Sequence, residues 1–457
     1  MHAHDNVLDR LAHQILGATL DRVREGPSDI GSSVSQEQLD HDLAGTITEA
    51  GLGGQVALQR FLEVAEPACI SIDHPLELAF VPAAPTKASL LFDALLGAIS
   101  IDASTWLEGS GAIHLENQTL SWFASLAGMG PDAGGCFVPG GTVGNLSALV
   151  AARQDARAAG KSAGTIVAAE SSHSSILSAA NVMDADLVTA PSHDGLTITG
   201  GSVEATLDAR GDDVFAVVAT AGTTSTGSID DLAGIAAVCA ERGIWFHVDA
   251  AYGGAGLLSS LADRYHGLGD ADSVIVDPHK WLFAPYDSCA LVYRDPARAR
   301  AAHRQLAGYL EDRDSVEGWN PSDYAIHLSR RARGLPLWFS LAAHGTGEYR
   351  RAVEQTLRVA ADVEAIIAAL PHITLACERT LTVIVFRVDG WTTDDYRRWS
   401  QQLRSSGQAF VSTTEIRSSS DPSTETCGRI CIVNPTTTAE QISAILPPLE
   451  TPASPHA

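Results

Sequence analysis

Lys280 is the residue whose neighbours most favour unusual chemistry. It lies in the segment 277–281 (DPHKW) and is one of three lysines in 457 residues; the others, Lys87 and Lys161, have no comparable surroundings. The apolar run 273–276 before it is typical of a buried strand. An ammonium group at the end of such a strand needs an anionic partner, or it loses its proton and becomes a nucleophilic amine. The alternative is an ordinary surface lysine beside a strand.

Asp249 and His173 are two further candidates. Asp249 follows the apolar run 244–248, where an unpaired carboxylate would be costly, so it needs a side-chain cation or a protonated ring nitrogen as partner. It could instead cap the segment that follows it. His173, in the segment 171–175 (SSHSS), marks the predicted start of a helix. A histidine at that place could equally be solvated or act as a cap.

Two loops could hold polar groups of a ligand. The segment 139–145 (PGGTVGN) precedes a predicted helix, and the amides of Gly141, Thr142 and Val143 would suit a phosphate. The segment matches neither the phosphate-loop nor the dinucleotide pattern, and a purely structural glycine turn is equally possible. The segment 220–227 is rich in hydroxyl groups. A phosphate cradle, a buried carboxylate, a histidine and a strand-end lysine together form the set that pyridoxal phosphate requires.

Strands and helices alternate in the part of the chain that must position these residues. Buried strands are predicted at 164–168, 214–220, 244–248, 273–276 and 289–293, with a helix at 232–242. This alternation predicts an α/β fold with a mostly parallel sheet, whose ligands bind at the carboxyl ends of the strands. Other helical regions are predicted at 1–65, 88–101, 115–126 and 336–370, and further strands at 381–388, 408–412 and 429–433.

Composition excludes several classes of partner. The net charge of −25 and the pI near 4.9 argue against nucleic acid or an anionic membrane as a partner. No basic segment leads into an apolar one at the start, and no apolar run has membrane-spanning length. The seven cysteines are scattered and do not cluster with histidines, so no metal site is predicted. We therefore expect a cytoplasmic protein with reduced thiols.

The segments 247–254 (HVDAAYGG) and 277–282 (DPHKWL) resemble the most specific motifs of the group II pyridoxal-phosphate decarboxylases. This is the aromatic-L-amino-acid and glutamate decarboxylase family, with the aspartate aminotransferase fold (fold type I). The glycine loop with Asn145, the His173 segment and the segment 429–435 (RICIVNP) support the resemblance, which extends from residue 74 to residue 436.

The resemblance implies catalytic roles for four residues. Lys280 would carry the cofactor as a Schiff base, and Asp249 would keep its pyridine nitrogen protonated. His173 would stack on the ring. Tyr309 lies in a stretch that matches the family's mobile loop. It would protonate the α-carbon of the quinonoid intermediate that forms when carbon dioxide is lost. The alternative for Tyr309 is a surface tyrosine in an acidic loop.

The resemblance also implies contacts to the cofactor. Ala251 would pack against the other ring face, and Thr224 would lie near the phenolic oxygen. Gly141, Thr142 and His279 would hold the phosphate.

Family membership would make the protein a homodimer with an active site shared between subunits. We expect an N-terminal helical dimerisation segment (1–85), a large cofactor-binding domain (86–335), a smaller α/β domain (336–447) and a disordered tail (448–457). Because Tyr309 and His173 are both present, amine formation is favoured over oxidative deamination.

The substrate pocket departs from the aromatic-specific pattern. Phe80 and Trp106 are predicted to bind substrate, but Val81 and Ser104 stand where such relatives carry aromatic residues. An aromatic L-amino acid is the favoured substrate, with acidic, diamino and small aliphatic amino acids as alternatives. Another fold-type-I reaction (carbon–carbon lyase, aminotransferase or amino-acid oxidase) and a non-catalytic scaffold are the rival functions. Asp277 also departs, because several relatives carry asparagine there; it would have to point away from the phosphate or pair with a cation.

Overall fold

Two β-sheets and their helices make up the structure, a computed structural model that describes residues 5–192, 195–305, 316–417 and 424–447. The chain begins with helices, as predicted: α1 (Asn6–Glu25), α2 (Gln36–Asp42), α3 (Gly54–Arg60), α4 (Lys87–Ile99) and α5 (Trp106–Leu126). A π-helical turn, Phe61–Ala65, continues α3. The side chain of Asp5 caps α1 by accepting from the backbone amides of Val7 and Leu8.

The central sheet is built from seven strands with helices between them. In chain order these elements are β1 (Gly134–Val138), α6 (Gly141–Ala158), β2 (Thr165–Ala169), α7 (Ser174–Met183), β3 (Asp186–Ala190), α8 (Gly200–Arg210), β4 (Val214–Thr220), α9 (Leu232–Arg242), β5 (Trp245–Asp249), β6 (Ser273–Val276), β7 (Cys289–Tyr293) and α10 (Pro296–His303). The spatial order is β1-β7-β6-β5-β4-β2-β3. This confirms the predicted α/β class and its mostly parallel sheet.

Strand β7 runs antiparallel to both of its neighbours, β1 and β6. The connection from β6 to β7, residues 277–288, contains no helix. A parallel crossover needs a dozen or more residues and is usually helical, whereas an antiparallel return can be short. The helix-free connection that carries Lys280 reverses the chain direction within the sheet.

The second sheet is smaller and antiparallel. It follows helices α11 (Leu335–His344) and α12 (Thr346–Ala368) and contains β8 (Ile373–Leu375), β9 (Val383–Val388), β10 (Ser412–Arg417) and β11 (Thr424–Cys431), with α13 (Thr393–Ser405) and α14 (Ala439–Ser443) beside them. Its order is β10-β11-β9-β8. The helical region predicted at 336–370 is interrupted at Gly345, whose φ of 78° favours glycine.

One strand prediction in this part is wrong. Residues 408–411 do not belong to the sheet, and β10 begins at Ser412. Phe410 instead exchanges backbone hydrogen bonds with Leu76 and Leu78. Pairing with a segment more than 300 residues earlier in the chain cannot be read from local periodicity.

The two sheets share apolar packing. One cluster of buried side chains includes Val248 and Val276 of the central sheet together with Val383 and Val385 of β9. The small sheet has a further core of its own around Phe386 and Trp399. Within the described ranges, no helix combines the length and the hydrophobicity that a membrane span requires.

A buried ion pair joins α5 to the segment before α11. Arg330 donates from Nη1 to Glu116 Oε2 at 2.7 Å and from Nη2 to Oε1 at 2.8 Å, and both side chains are buried. Glu116 Oε1 also accepts from the Gly334 amide at 2.8 Å. The bidentate geometry satisfies charges that would otherwise be costly in this interior position.

We expect Glu116→Ala to destabilise the protein by about 3–5 kcal/mol, because it leaves a buried guanidinium without its counter-charge. Urea unfolding followed by circular dichroism measures the change. The control is Arg397→Ala, which breaks the exposed pair with Asp394 and should leave the unfolding midpoint unchanged. Equal midpoints for the two variants would contradict this account of the buried pair.

Candidate active site

A cavity of about 450 Å³ opens at the carboxyl ends of the central strands. Thr220 and Asp249 are the last residues of β4 and β5, and Asp277 directly follows β6. The predicted site residues that line the cavity are Gly141, Thr142, His173, Thr224, Asp249, Ala251, His279 and Lys280. The parallel strands thus bring side chains that lie far apart in the sequence to one edge of the sheet.

Lys280 is paired with a carboxylate. Its Nζ lies 2.9 Å from Asp277 Oδ2. Burial acts to lower the pKa of Lys280, but the charges of Asp277 and Asp249 outweigh it and the net pKa is raised. Of the two alternatives for a buried ammonium, the structure therefore has the one with an anionic partner.

Asp277 is a buried carboxylate beside Lys280 and His279. Burial acts to raise the pKa of its carboxyl, but Lys280 and His279 outweigh burial and keep the pKa below its usual value. His279 Nε2 lies 3.7 Å from Asp277 Oδ2. Asp277 therefore pairs with a cation, Lys280, which is one of the two alternatives that the sequence left for it.

Asp249 is held by two donors. Its Oδ2 accepts from Asn145 Nδ2 at 2.8 Å, and its Oδ1 accepts from the Ala251 amide at 3.0 Å. The second contact is the local capping interaction that the sequence left open. Each carboxylate oxygen can accept more than one hydrogen bond, so Asp249 retains capacity for a donor in the cavity.

His173 is the N-cap residue of α7. Its Nδ1 accepts from the Ser175 amide at 3.2 Å and lies 2.9 Å from Ser175 Oγ. The ring is exposed and lines the cavity. The capping role is therefore present, and it leaves a ring face available to a ligand.

The glycine loop opens α6 without a side-chain cap. Val143 and Gly144 donate their amides to Gly140 O, so Val143 cannot serve an anion as the sequence suggested. The amides of Gly141 and Thr142 come first in the helix, where no intrahelical acceptor exists. A Cβ at Gly141 would lie 3.2 Å from Asp277 Oδ2 and 3.5 Å from the Ala251 Cβ, so a bare backbone is needed at this point.

Three further features shape the walls of the cavity. The His279 ring packs against Tyr286 with ring centroids 4.4 Å apart and ring planes tilted by 30°, and its Nδ1 lies 2.7 Å from Ser288 O. Burial lowers the pKa of His279, although Asp277 acts in the opposite direction. Arg429 of β11 donates to Thr224 O at 2.8 Å and to Phe80 O at 2.5 Å, which fixes the hydroxyl-rich loop.

Among the described residues, two predicted site residues are not in the set that lines this cavity. Phe80 is 65% exposed and packs edge-on against Phe410. Trp106 begins α5 and packs in a separate cluster with Trp319. Tyr309 lies outside the described residues.

Sequence reasoning missed Tyr286 and the buried residues behind Asp249. Tyr286 lines the cavity without any motif that marks it. Asn145 and His247 were noted as parts of motifs but given no role. A signal did exist for Asn145, because it precedes Ala148, Leu149 and Ala152 at helical spacing on a buried face, where an unpartnered amide would be costly.

The donor set fits pyridoxal phosphate. The uncapped start of α6 suits its phosphate, Asp249 suits a protonated ring nitrogen, and Lys280 offers a primary amine for its aldehyde. The described residues contain no cluster of three or more side chains that could hold a metal ion.

Comparisons with known proteins agree with this chemistry. The chain is 28% identical over 454 residues to the aromatic-L-amino-acid decarboxylase of Bacillus atrophaeus, which covers 96% of this chain and 93% of that protein. It is 30% identical over 349 residues to the L-2,4-diaminobutyrate decarboxylase of Rhizobium meliloti (strain 1021), covering 75% and 70%.

Solved structures share the fold. The crystal structure of Oryza sativa TDC with PLP and tryptamine matches with a TM-score of 0.88 at 21% identity, covering 97% of each chain. Residues 58–389 match the model of the pyridoxal-dependent decarboxylase conserved domain, a stretch that contains both Asp249 and Lys280. The chain therefore belongs to the pyridoxal-dependent decarboxylase family and is a pyridoxal-phosphate-dependent amino-acid carboxy-lyase.

Proposed function

We propose that this decarboxylase converts an aromatic L-amino acid to its amine and carbon dioxide, with Lys280 as the residue that binds the cofactor covalently. The observation that carries the residue assignment is the cavity itself, where the Lys280 amine, the Asp249 carboxylate and the uncapped start of α6 face one space. Pyridoxal phosphate, when bound, supplies an electron-accepting ring next to the substrate's α-carbon.

The residues of this chain prepare that space in distinct ways. Asp249, whose carboxylate is positioned by two hydrogen bonds from the protein, would keep a proton on the ring nitrogen. His173 and Ala251 would confine the ring between them. The amides of Gly141 and Thr142 with His279 would hold the phosphate, and Thr224 would lie beside the phenolic oxygen.

Tyr309 would return a proton to the substrate's α-carbon. The family's tyrosine in the corresponding loop supports this assignment, which rests on sequence resemblance alone. Retention of that tyrosine favours the amine over an aldehyde product.

An aromatic substrate is supported by the relative from Bacillus atrophaeus, which matches nearly the whole chain. Phe80 would contact the substrate from beside the cavity, where its backbone oxygen is fixed by Arg429. Trp106 would contribute from α5. Val81 and Ser104 are buried and not aromatic, so a smaller or more polar substrate is the alternative.

A homodimer is supported by the surface of the N-terminal helices. Helix α1 has no buried residue in 20, which is unusual for a helix packed on a monomer. Exposed apolar side chains on α1, α3 and α4 include Val7, Leu8, Leu16, Leu20, Val56, Leu91, Leu95 and Ile99. A second copy of the chain would cover them.

The chain would be divided into four parts, and the protein would be located in the cytoplasm. We propose a dimerisation segment at 1–85, a large domain at 86–335, a small domain at 336–447 and a tail at 448–457. The acidic composition and the predicted free thiols suit a cytoplasmic enzyme without nucleic-acid or membrane partners.

The first test is a screen of the proteinogenic amino acids and 2,4-diaminobutyrate with added pyridoxal phosphate. We expect an aromatic amino acid to give amine and carbon dioxide in equal amounts, and Lys280→Ala to lose both this activity and the covalently retained cofactor. Lys161→Ala, which removes an exposed lysine bound to Gly243 O, is the control. Release of ammonia or peroxide in place of amine would refute decarboxylation to the amine, and covalent cofactor in Lys280→Ala would refute the lysine assignment.

The second test uses the Asp277–Lys280 pair. Because Asp277 raises the pKa of Lys280, Asp277→Asn should lower that pKa and increase the fraction of free amine at neutral pH. We expect the pH profile for cofactor uptake by the apo-protein to move to lower pH, measured by stopped-flow absorbance. Asp287→Asn, which removes a carboxylate paired with Arg333, is the matched control and should leave the profile in place. An unmoved profile in Asp277→Asn would show that the pair does not set the protonation state of Lys280.

The third test concerns the dimer. We expect Leu16→Asp on α1 to weaken association at least about 10-fold, because a carboxylate would be buried between subunits. Light scattering during size-exclusion chromatography over a concentration series measures it. Gln401→Asp places the same charge on the exposed face of α13 and should leave association unchanged. A dimer of undiminished strength in Leu16→Asp would exclude this face as the interface.

A further inference from the structure

We propose that Asn145 is a positioning residue that fixes Asp249 and His173 together, at the centre of a one-way chain of buried hydrogen bonds that begins at Trp245. The inference rests on the proposed cofactor site, because it assigns a role toward the group that Asp249 and His173 would contact. It adds Asn145, His247 and Ser273 to the residues on which cofactor binding depends.

Asn145 uses every polar atom of its side chain. It is 0% exposed, one turn into α6. Its Nδ2 lies 2.8 Å from Asp249 Oδ2 and 2.9 Å from Ser175 Oγ, and its Oδ1 lies 2.9 Å from His247 Nε2. One amide therefore contacts the strand that carries Asp249 and the helix that His173 caps.

The groups at the two ends of the hydrogen-bond chain fix the direction of each bond. The Asp249 carboxylate can only accept, so Asn145 presents Nδ2 to Asp249 and Oδ1 to His247, and His247 must carry a proton on Nε2 and donate to Asn145 Oδ1. In the neutral imidazole, Nδ1 is then an acceptor, and the Ser273 hydroxyl 2.8 Å away donates to it. At the other end, Trp245 Nε1 can only donate, and it lies 2.8 Å from Ser273 Oγ.

The hydrogen-bond chain allows only one orientation of the Asn145 side-chain amide. With its oxygen bound to His247, its two N–H groups must donate to Asp249 and Ser175. A flipped amide would place its oxygen against the Asp249 carboxylate and its N–H groups against the His247 donor, so both contacts would be repulsive.

The hydrogen bonds at Ser175 and His173, the other end of the hydrogen-bond chain, agree with this direction. The backbone amide of Ser175 donates to His173 Nδ1, so that ring atom is an acceptor. The Ser175 hydroxyl, which accepts from Asn145, can therefore donate to the same atom. His173 and Asp249 are oriented by one amide, although they belong to different elements.

The hydrogen-bond chain orients Asp249 without placing a positive charge beside it. Burial lowers the pKa of His247 to about 4, although Asp249 acts in the opposite direction, so the imidazole is neutral at physiological pH. The titratable groups that face Asp249 from the neighbouring elements are Lys280, through its charge, His247, and the Cys289 thiol of β7. His247 therefore places no positive charge beside Asp249 on the side away from the cavity.

Three variants test the role of Asn145, with the dissociation constant of pyridoxal phosphate as readout between pH 6 and 9. We expect Asn145→Ala to weaken cofactor binding about 10- to 100-fold, the range for losing one buried hydrogen bond to a charged group. In Asn145→Asp, the loss should be greatest at high pH, where two carboxylates repel each other. Binding should recover as pH falls, because the introduced carboxyl then regains a proton to donate. A purely structural role would not produce this new pH dependence.

Ser273→Ala tests the part of the hydrogen-bond chain that lies away from the cavity. It serves as the test if the Asn145 variants do not fold. It removes the link between Trp245 and His247, and we expect a smaller loss of affinity in the same direction. Trp399→Phe, which removes a buried indole N–H bond to Ile445 O in the small sheet, is the control and should bind cofactor normally.

The outcomes separate the two proposals. Absence of covalent cofactor in the wild-type protein would refute the proposed function itself. Normal binding in the wild type, with Asn145 variants of unchanged affinity and pH dependence, would refute the role of Asn145. If those variants do not fold, equal affinity in Ser273→Ala and Trp399→Phe would refute it.

Discussion

The contact between Lys280 and Asp277 is the interaction on which the cavity is organised. Two opposite charges lie 2.9 Å apart at the end of a buried strand, and each would be costly there without the other. His279 Nε2 lies 3.7 Å from the same carboxylate, and a Cβ built at Gly141 would lie 3.2 Å from it. The pair therefore lies between the lysine segment and the glycine loop.

The sequence predicts the site better than it predicts the pocket around it. Apolar runs identified β2, β4, β5, β6 and β7 within one residue, because each is buried on both faces and reads as a continuous hydrophobic segment. The partly exposed edge strand β3 lacks such a run. Lys280, Asp249 and the glycine loop follow strands or precede helices, so topology alone brings them together. Phe80 and Trp106 differ, because their positions depend on pairing between distant segments.

Partners of the site residues were harder to foresee than the residues themselves. Nothing local indicates that Asn145 on α6 bonds to both Asp249 and Ser175. Such contacts depend on how a helix packs on the sheet, and sequence periodicity gives the buried face but not the register. Arg429 is a similar case: it lies on the small sheet, yet it holds the backbone of Thr224 and Phe80. Any shift between the sheets would thus move the backbone at Thr224, which lines the cavity.

The antiparallel return between β6 and β7 has a consequence for how the lysine could vary among related proteins. Because these strands are neighbours, the ends of the segment 277–288 lie near one strand spacing apart, about 4.8 Å. An insertion or deletion within it would alter the reach of Lys280 while leaving the register of the sheet intact. Elsewhere in the central sheet, helices connect parallel strands. A change in the length of one of those connections would require the whole helical crossover to shift. The lysine therefore occupies a connection in which its distance from Asp249 could be adjusted independently of the scaffold.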